Sequence, residues 1–142
     1  MKGIAKTAKR LIFVLAMAAI ASCNNSDDIG EIFIGHDWKL SYIKDGETTQ
    51  WSPQGKVYNV KFASNSFDAF TPGGGRISGR WSANGNTREF RCTNIQSEGI
   101  DSNDTIATHI MQMFSNATSY DGDTHYLQII KDKNHFMQFY NR

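Results

Sequence analysis

From Ile32 onward apolar and polar positions alternate with period two, which predicts strands half facing a core. His36 to Lys44 puts Trp38, Leu40 and Tyr42 on one face with Lys39 and Ser41 opposite, and Asp45-Gly46 turns the chain. Gln50 to Gly55 holds Pro53 and Gly55 and predicts a loop, leaving Trp51 without a core to enter. Val57 to Ala63 groups Tyr58, Val60 and Phe62, and Phe67 to Phe70 is a short strand. Thr71-Pro72-Gly73-Gly74-Gly75 stops that strand, because proline lacks a donor and glycine accepts positive φ. Arg76 to Ala83 alternates again through Ile77, Gly79, Trp81 and Ala83. The glycine run therefore reads as a hairpin, since a phosphate loop needs a helix start behind it. Asn84-Gly85-Asn86 is a further turn, and Thr87 to Ile95 returns with Arg88, Phe90, Cys92 and Asn94 together.

The period then changes. Between Asp104 and Ala117, Ile106, Ile110, Met113, Phe114 and Ala117 recur at helical spacing, with Asp104 placed to cap the first free amides. Ser119 to Tyr126 carries the turn Asp121-Gly122-Asp123, which has too few oxygen ligands for a calcium loop. Tyr126 to Lys131 and Phe136 to Tyr140 close the chain as two strands. The second has Phe136, Gln138 and Tyr140 opposite Met137 and Phe139, a pattern that predicts burial from two sides. The expected fold class is mainly β (α+β): a small curled, mostly antiparallel sheet or partial barrel packed on one helix near residues 104–117.

Ahead of the strands the pattern differs. Lys2, Lys6, Lys9 and Arg10 precede the apolar run Leu11 to Ile20, which is short for a bilayer span and is followed by small residues, the order of a secretory signal. Asn24 to Glu31 is polar and acidic, as in a tether. The expected organisation is a signal over 1–22, a tether over 23–31 and one domain over 32–142.

Charge changes with that division. The full chain of 142 residues carries 15 basic and 14 acidic residues, a net of +1. Four of the basic residues and none of the acidic ones lie in the signal, so the remainder has 11 − 14 = −3. No excess of Lys and Arg is left for nucleic acid. Cys92 has no second cysteine in the domain to pair with, and a lone cysteine in an apolar strand pattern reads as core rather than nucleophile. His36, His109, His125 and His135 are scattered, with no pair at metal spacing, and no nucleophile elbow appears. The expectation is a protein without catalytic residues, metal or cofactor.

Three short motifs resemble known signals. Ile20-Ala21-Ser22-Cys23 resembles the bacterial lipobox, which implies that Cys23 receives diacylglycerol and becomes the first residue after cleavage. More than one acyl chain on one residue gives stable membrane attachment, since a single chain binds only marginally. Ser26-Asp27-Asp28 resembles the acidic export signal of Bacteroidetes lipoproteins, which implies the outer membrane and its outer face; an ordinary solvated linker has the same composition. Asp104-Thr105-Ile106 resembles the O-glycosylation site of Bacteroides exported proteins, which would modify Thr105; a helix cap needs the same residues.

From Trp38 to Tyr140 the order of signals resembles the META/HslJ-like domain of bacterial envelope lipoproteins. Trp38 and Leu40 form the early Trp-x-Leu strand, an aromatic strand ends at Phe62, and Ser78-Gly79 precedes the Asn-Gly turn. The helix from Asp104 leads to Tyr120, Gly122-Asp123, Leu127 and Ile129, and a terminal Phe-Met-Gln-Phe strand. The family often shows Gly-Cys-Asn where this chain has Gly79-Arg80-Trp81, so the likeness is to a divergent branch. It implies a small sheet curled around one helix and no assigned enzymatic activity. Gly35-His36-Asp37-Trp38 is similar to the Gly-x-Trp start of lipocalins, a competing likeness.

The leading functional expectation is a lipid-anchored envelope protein that binds or scaffolds another envelope component. Its expected contact surface is Trp51 with the loop Gly73 to Arg76. The alternative is a small apolar or sugar ligand inside the sheet, lined by Tyr58, Phe62, Trp81 and Phe90. A cavity of a few hundred Å3 would favour the ligand, and a filled interior the scaffold.

Overall fold

In a computed structural model that describes residues 29–141, nine strands form one sheet. They are β1 (Trp38–Asp45), β2 (Thr48–Trp51), β3 (Asn59–Phe62), β4 (Ser66–Phe70), β5 (Arg76–Asn84), β6 (Glu89–Glu98), β7 (Ser119–Gly122), β8 (Tyr126–Asp132) and β9 (His135–Asn141). Residues 29–33 are helical (α1), and the long helix α2 (Thr105–Asn116) joins β6 to β7. The strand order is β2-β1-β3-β4-β5-β6-β7-β8-β9, every pair antiparallel. β9 returns to pair with β1, from Trp38↔Asn141 to Asp45↔His135. The sheet thus closes on itself, which leaves few strand edges unpaired. The seam is narrowest between β6 and β7, where the register is the single pair Glu89↔Ser119.

Both ends of this barrel are closed from within. α2 follows a cap in which the Asp104 carboxylate accepts from Ala107 N at 3.0 Å, and it buries Ile106, Ala107, Ile110, Met113 and Phe114. Four of these are positions its helical period marked, with Ala107 added; the fifth marked residue, Ala117, is buried just beyond the helix as its C-cap. At the other end α1 delivers Ile32 and Phe33, and Phe33 is fully buried. The period-two expectation from Ile32 therefore fails at its first residues. Ile32 and Phe33 are helical, and the helical stretch includes Ile29 to Glu31, which the sequence assigned to a tether. Cys23 and the Ser26-Asp27-Asp28 motif lie outside the described residues.

Two bulges reset the alternation. Leu40 pairs with Phe139 and Tyr42 with Gln138, so Ser41 is an extra residue on β1. Beyond it Ile43 turns inward and Tyr42 outward, correcting the expectation that Tyr42 shares the core face of Trp38 and Leu40. On β6 the register shifts opposite Ser78 to Arg80, and Asn94 adopts a positive φ of 54°. Gly79 in that region lets the Phe67 ring lie against the backbone, because a Cβ there would stand 2.9 Å from Phe67 Cε1. β2 and β7 are strands where the sequence predicted a loop and a turn.

Candidate functional site

The four proposed lining residues lead to the interior of the barrel. Phe33 contacts the rings of Phe62 (5.1 Å between centroids), Trp81 (4.7 Å), Phe90 (5.6 Å) and Tyr120 (5.0 Å). Three of the four lining residues thus surround a side chain of the protein itself, in edge, tilted and stacked contacts that fill space efficiently. From the opposite end Phe114 of α2 lies 4.5 Å from Phe67, centroid to centroid. Trp81 also donates its Nε1–H to the Ala63 carbonyl at 2.8 Å, a structural bond. Tyr58 is not part of this group. Its hydroxyl donates to Asp104 Oδ1 at 2.9 Å, and burial, together with that carboxylate, pushes its pKa up to about 12. It closes the helix cap and takes no place in a central chamber.

The outer face of β2, β1, β9 and β8 is the contrasting surface. The register lines up Trp51↔Tyr42, Tyr42↔Gln138 and Gln138↔Gln128 across four strands. A second row runs Lys39↔Tyr140 and Tyr140↔Tyr126. Trp51 stacks at a tilt on Tyr42 (4.9 Å), and Tyr42 meets Phe136 edge-on (6.0 Å). Gln128 Nε2 donates to Gln138 Oε1 at 2.8 Å, fixing both amides. Trp51 is 64% exposed, Tyr140 38% and Tyr126 36%. Contiguous aromatics of this kind mark contact surfaces in soluble domains.

Beside the platform the segment 52–57 stands over the gap where β1 passes from β2 to β3. Ser52 N donates to Ser41 O at 3.0 Å, so the bulge that turns Tyr42 outward also anchors the loop. A groove of about 340 Å3 runs between this loop and the sheet, lined by Lys39, Ser41, Trp51, Ser52, Gln54, Lys56 and Tyr140 among others. On the far side of Lys56 a second groove of about 360 Å3 includes Tyr58, Pro72, Gly73, Asp104 and Thr105. The two parts of the expected contact surface, Trp51 and the Gly73 loop, therefore flank one loop. Arg76 at the end of that surface is held by Asp68 at 2.8 Å and Glu98 at 3.4 Å.

The remaining chemistry is structural in its contacts. Thr105 is exposed at the first turn of α2, and its Oγ1 accepts from Gln50 Nε2 at 3.1 Å. His109 Nδ1 lies 2.6 Å from Gln50 Oε1, and His135 lies between Asp132 (2.7 Å) and Asp45 (3.3 Å). Among the described residues no three His, Cys, Asp or Glu side chains are grouped to hold a metal ion. Cys92 is half-buried, and desolvation pushes its thiol up to about 12, so it is protonated and poorly nucleophilic at neutral pH. No described helix is long and apolar enough to cross a membrane.

Sequence reasoning missed Tyr42 and Phe33. Tyr42 needed the Ser41 bulge, which no local signal announces. Phe33 sat in the apolar triplet Ile32-Phe33-Ile34, a visible cue read with the wrong period. Tyr140 was legible from its place opposite Met137 and Phe139.

The fold and surface together define a class: an antiparallel barrel with a filled interior, closed by a helix at each end and carrying an aromatic outer face. The chain belongs to a family described as a domain of unknown function, DUF4847, whose model matches residues 24–141. A solved structure with the same fold is a DUF4847 family protein from Bacteroides vulgatus ATCC 8482, at TM-score 0.59 and 18% identity, covering 79% of this chain and 96% of that one. No curated protein matches the chain.

Proposed function

We propose that this is a lipid-anchored protein of the bacterial outer membrane, held through Cys23, whose domain binds or scaffolds another envelope component without catalysing a reaction. The supporting observation is the contrast between a core packed with the chain's own Phe33 and Phe114 and a Trp51-Tyr42 platform left exposed. A partner recognised on the outside needs no chamber. The reading with a ligand among Tyr58, Phe62, Trp81 and Phe90 loses support for the same reason, since Phe33 occupies the space three of them enclose.

The test uses the full-length protein in its own envelope. Cys23→Ala moves it from the detergent phase to the aqueous phase on phase separation, whereas Trp51→Ala stays with the detergent but loses the partner captured by crosslinking and mass spectrometry. Detergent partitioning of Cys23→Ala would defeat the anchor, and unchanged capture by Trp51→Ala would defeat the platform.

A further inference from the structure

We propose that the groove between segment 52–57 and the sheet binds an acidic sugar, a uronic-acid-bearing oligosaccharide chain, a ligand class that deepens the binding role proposed above and rests on it. Its lining is unlike the rest of the domain. Lys39 and Lys56 both face it, no Asp or Glu lines it, and among the described residues neither lysine makes an ion pair. From Ile32 onward the domain carries 11 basic and 11 acidic residues, so a groove with two lysines and no carboxylate is a local excess of positive charge. Two ammonium-bearing side chains lining one groove with no competing carboxylate favour an anion.

The other lining groups decide which anion. Trp51 and Tyr140 supply flat apolar ring surface, on which the C–H face of a pyranose can lie. Ser41, Ser52 and Gln54 supply hydroxyl and amide groups that both donate and accept, matching a ring of hydroxyls. A bare phosphate or sulfate would use the lysines and leave the aromatics idle, while a purely apolar ligand would leave the lysines idle. An acidic sugar uses both sets at once. Nucleic acid combines aromatics with cations too, but two lysines on a domain without net positive charge fall short of a track for successive phosphates. The volume of about 340 Å3 suits a ligand of a few rings.

The experiment is calorimetric titration of the lipidated full chain, in nonionic detergent, with a galacturonate tetramer, its fully methyl-esterified form, and a hyaluronan tetrasaccharide. At least one acidic probe is expected to bind, with the ester roughly tenfold weaker when galacturonate is the one. Lys39→Gln and Lys56→Gln should each weaken the acid roughly tenfold and leave the ester unchanged, while Trp51→Ala should weaken both forms. Rising salt should weaken only the acid. The proposal is overturned if neither acidic probe binds, if acid and ester bind alike, or if Trp51→Ala leaves affinity intact. Binding of phosphatidylglycerol vesicles through the same lysines, indifferent to Trp51, would mark a lipid surface and equally overturn it. Should the sugars fail while Trp51→Ala still loses its captured partner, the binding role stands and only the ligand class falls.

Discussion

β9 has two faces of nearly equal hydrophobic content and opposite fates. Met137 and Phe139 are sealed against the interior, whereas Tyr140 on the same strand is exposed and Phe136 is half-buried under the Tyr42 ring. The inner pair is buried in the core where β9 closes the barrel against β1. The outer pair belongs to a platform that nothing in the described chain covers. Aromatic residues here thus do two jobs, and what separates them is whether the packed chain seals them from solvent or leaves part of the ring exposed.

That comparison yields a graded set of expectations. Phe33→Ala removes the shared contact of Phe62, Trp81, Phe90 and Tyr120 and should cost about 3–5 kcal/mol in urea unfolding. A loss below about 1 kcal/mol would mean that the interior is loosely packed and that the inner and outer aromatics are not so different.

Asp104→Ala tests the rim between core and surface. One carboxylate oxygen accepts from both Ala107 N and the Tyr58 hydroxyl, so its removal should cost about 1–2 kcal/mol. Ultraviolet titration gives a second reading. Tyr58 should titrate at about 12 in the parent and lower in the variant, though burial, its largest cause, keeps part of the shift. The sign follows from linkage: because folding raises this pKa, the folded state holds its proton longer. Its contribution is whole below pH 10 and is lost as pH rises toward 12.

Trp51→Ala should be the mildest to stability, within about 0.5 kcal/mol of the parent, because the ring is 64% exposed. The comparison sharpens if that near-neutral change abolishes partner capture. It breaks if the variant unfolds as readily as Phe33→Ala.

The sequence made the repetitive parts of this fold legible and left the exceptions hidden. α2 followed from five apolar residues at helical spacing and an acidic cap, since a long amphipathic helix repeats its signal every turn. β4, β5, β8 and β9 followed from alternation for the same reason. Ser41 is an ordinary residue for a strand, so the bulge that exchanges Tyr42 for Ile43 on the inner face is set by pairing with β9 and leaves no local trace. β7 has four residues and one deeply buried side chain, Tyr120, too little for a period to emerge. The platform was half legible: Trp51 was recognised as homeless, but its neighbours come from three other strands, and only the register brings them together.

The position of Phe33 also governs how the domain responds to tension. The innermost ring at one end of the barrel is carried by a helical stretch at the amino-terminal edge of the described chain, ten positions after the cysteine proposed to hold the lipid. In a chain anchored as proposed, a pull on the amino-terminal side would reach this ring before any strand, and withdrawing it would uncover Trp81, Phe90 and Tyr120 beside the narrow β6–β7 seam. Under such a load the expected first event is an uncorking, with the hydrogen-bonded wall giving way afterwards.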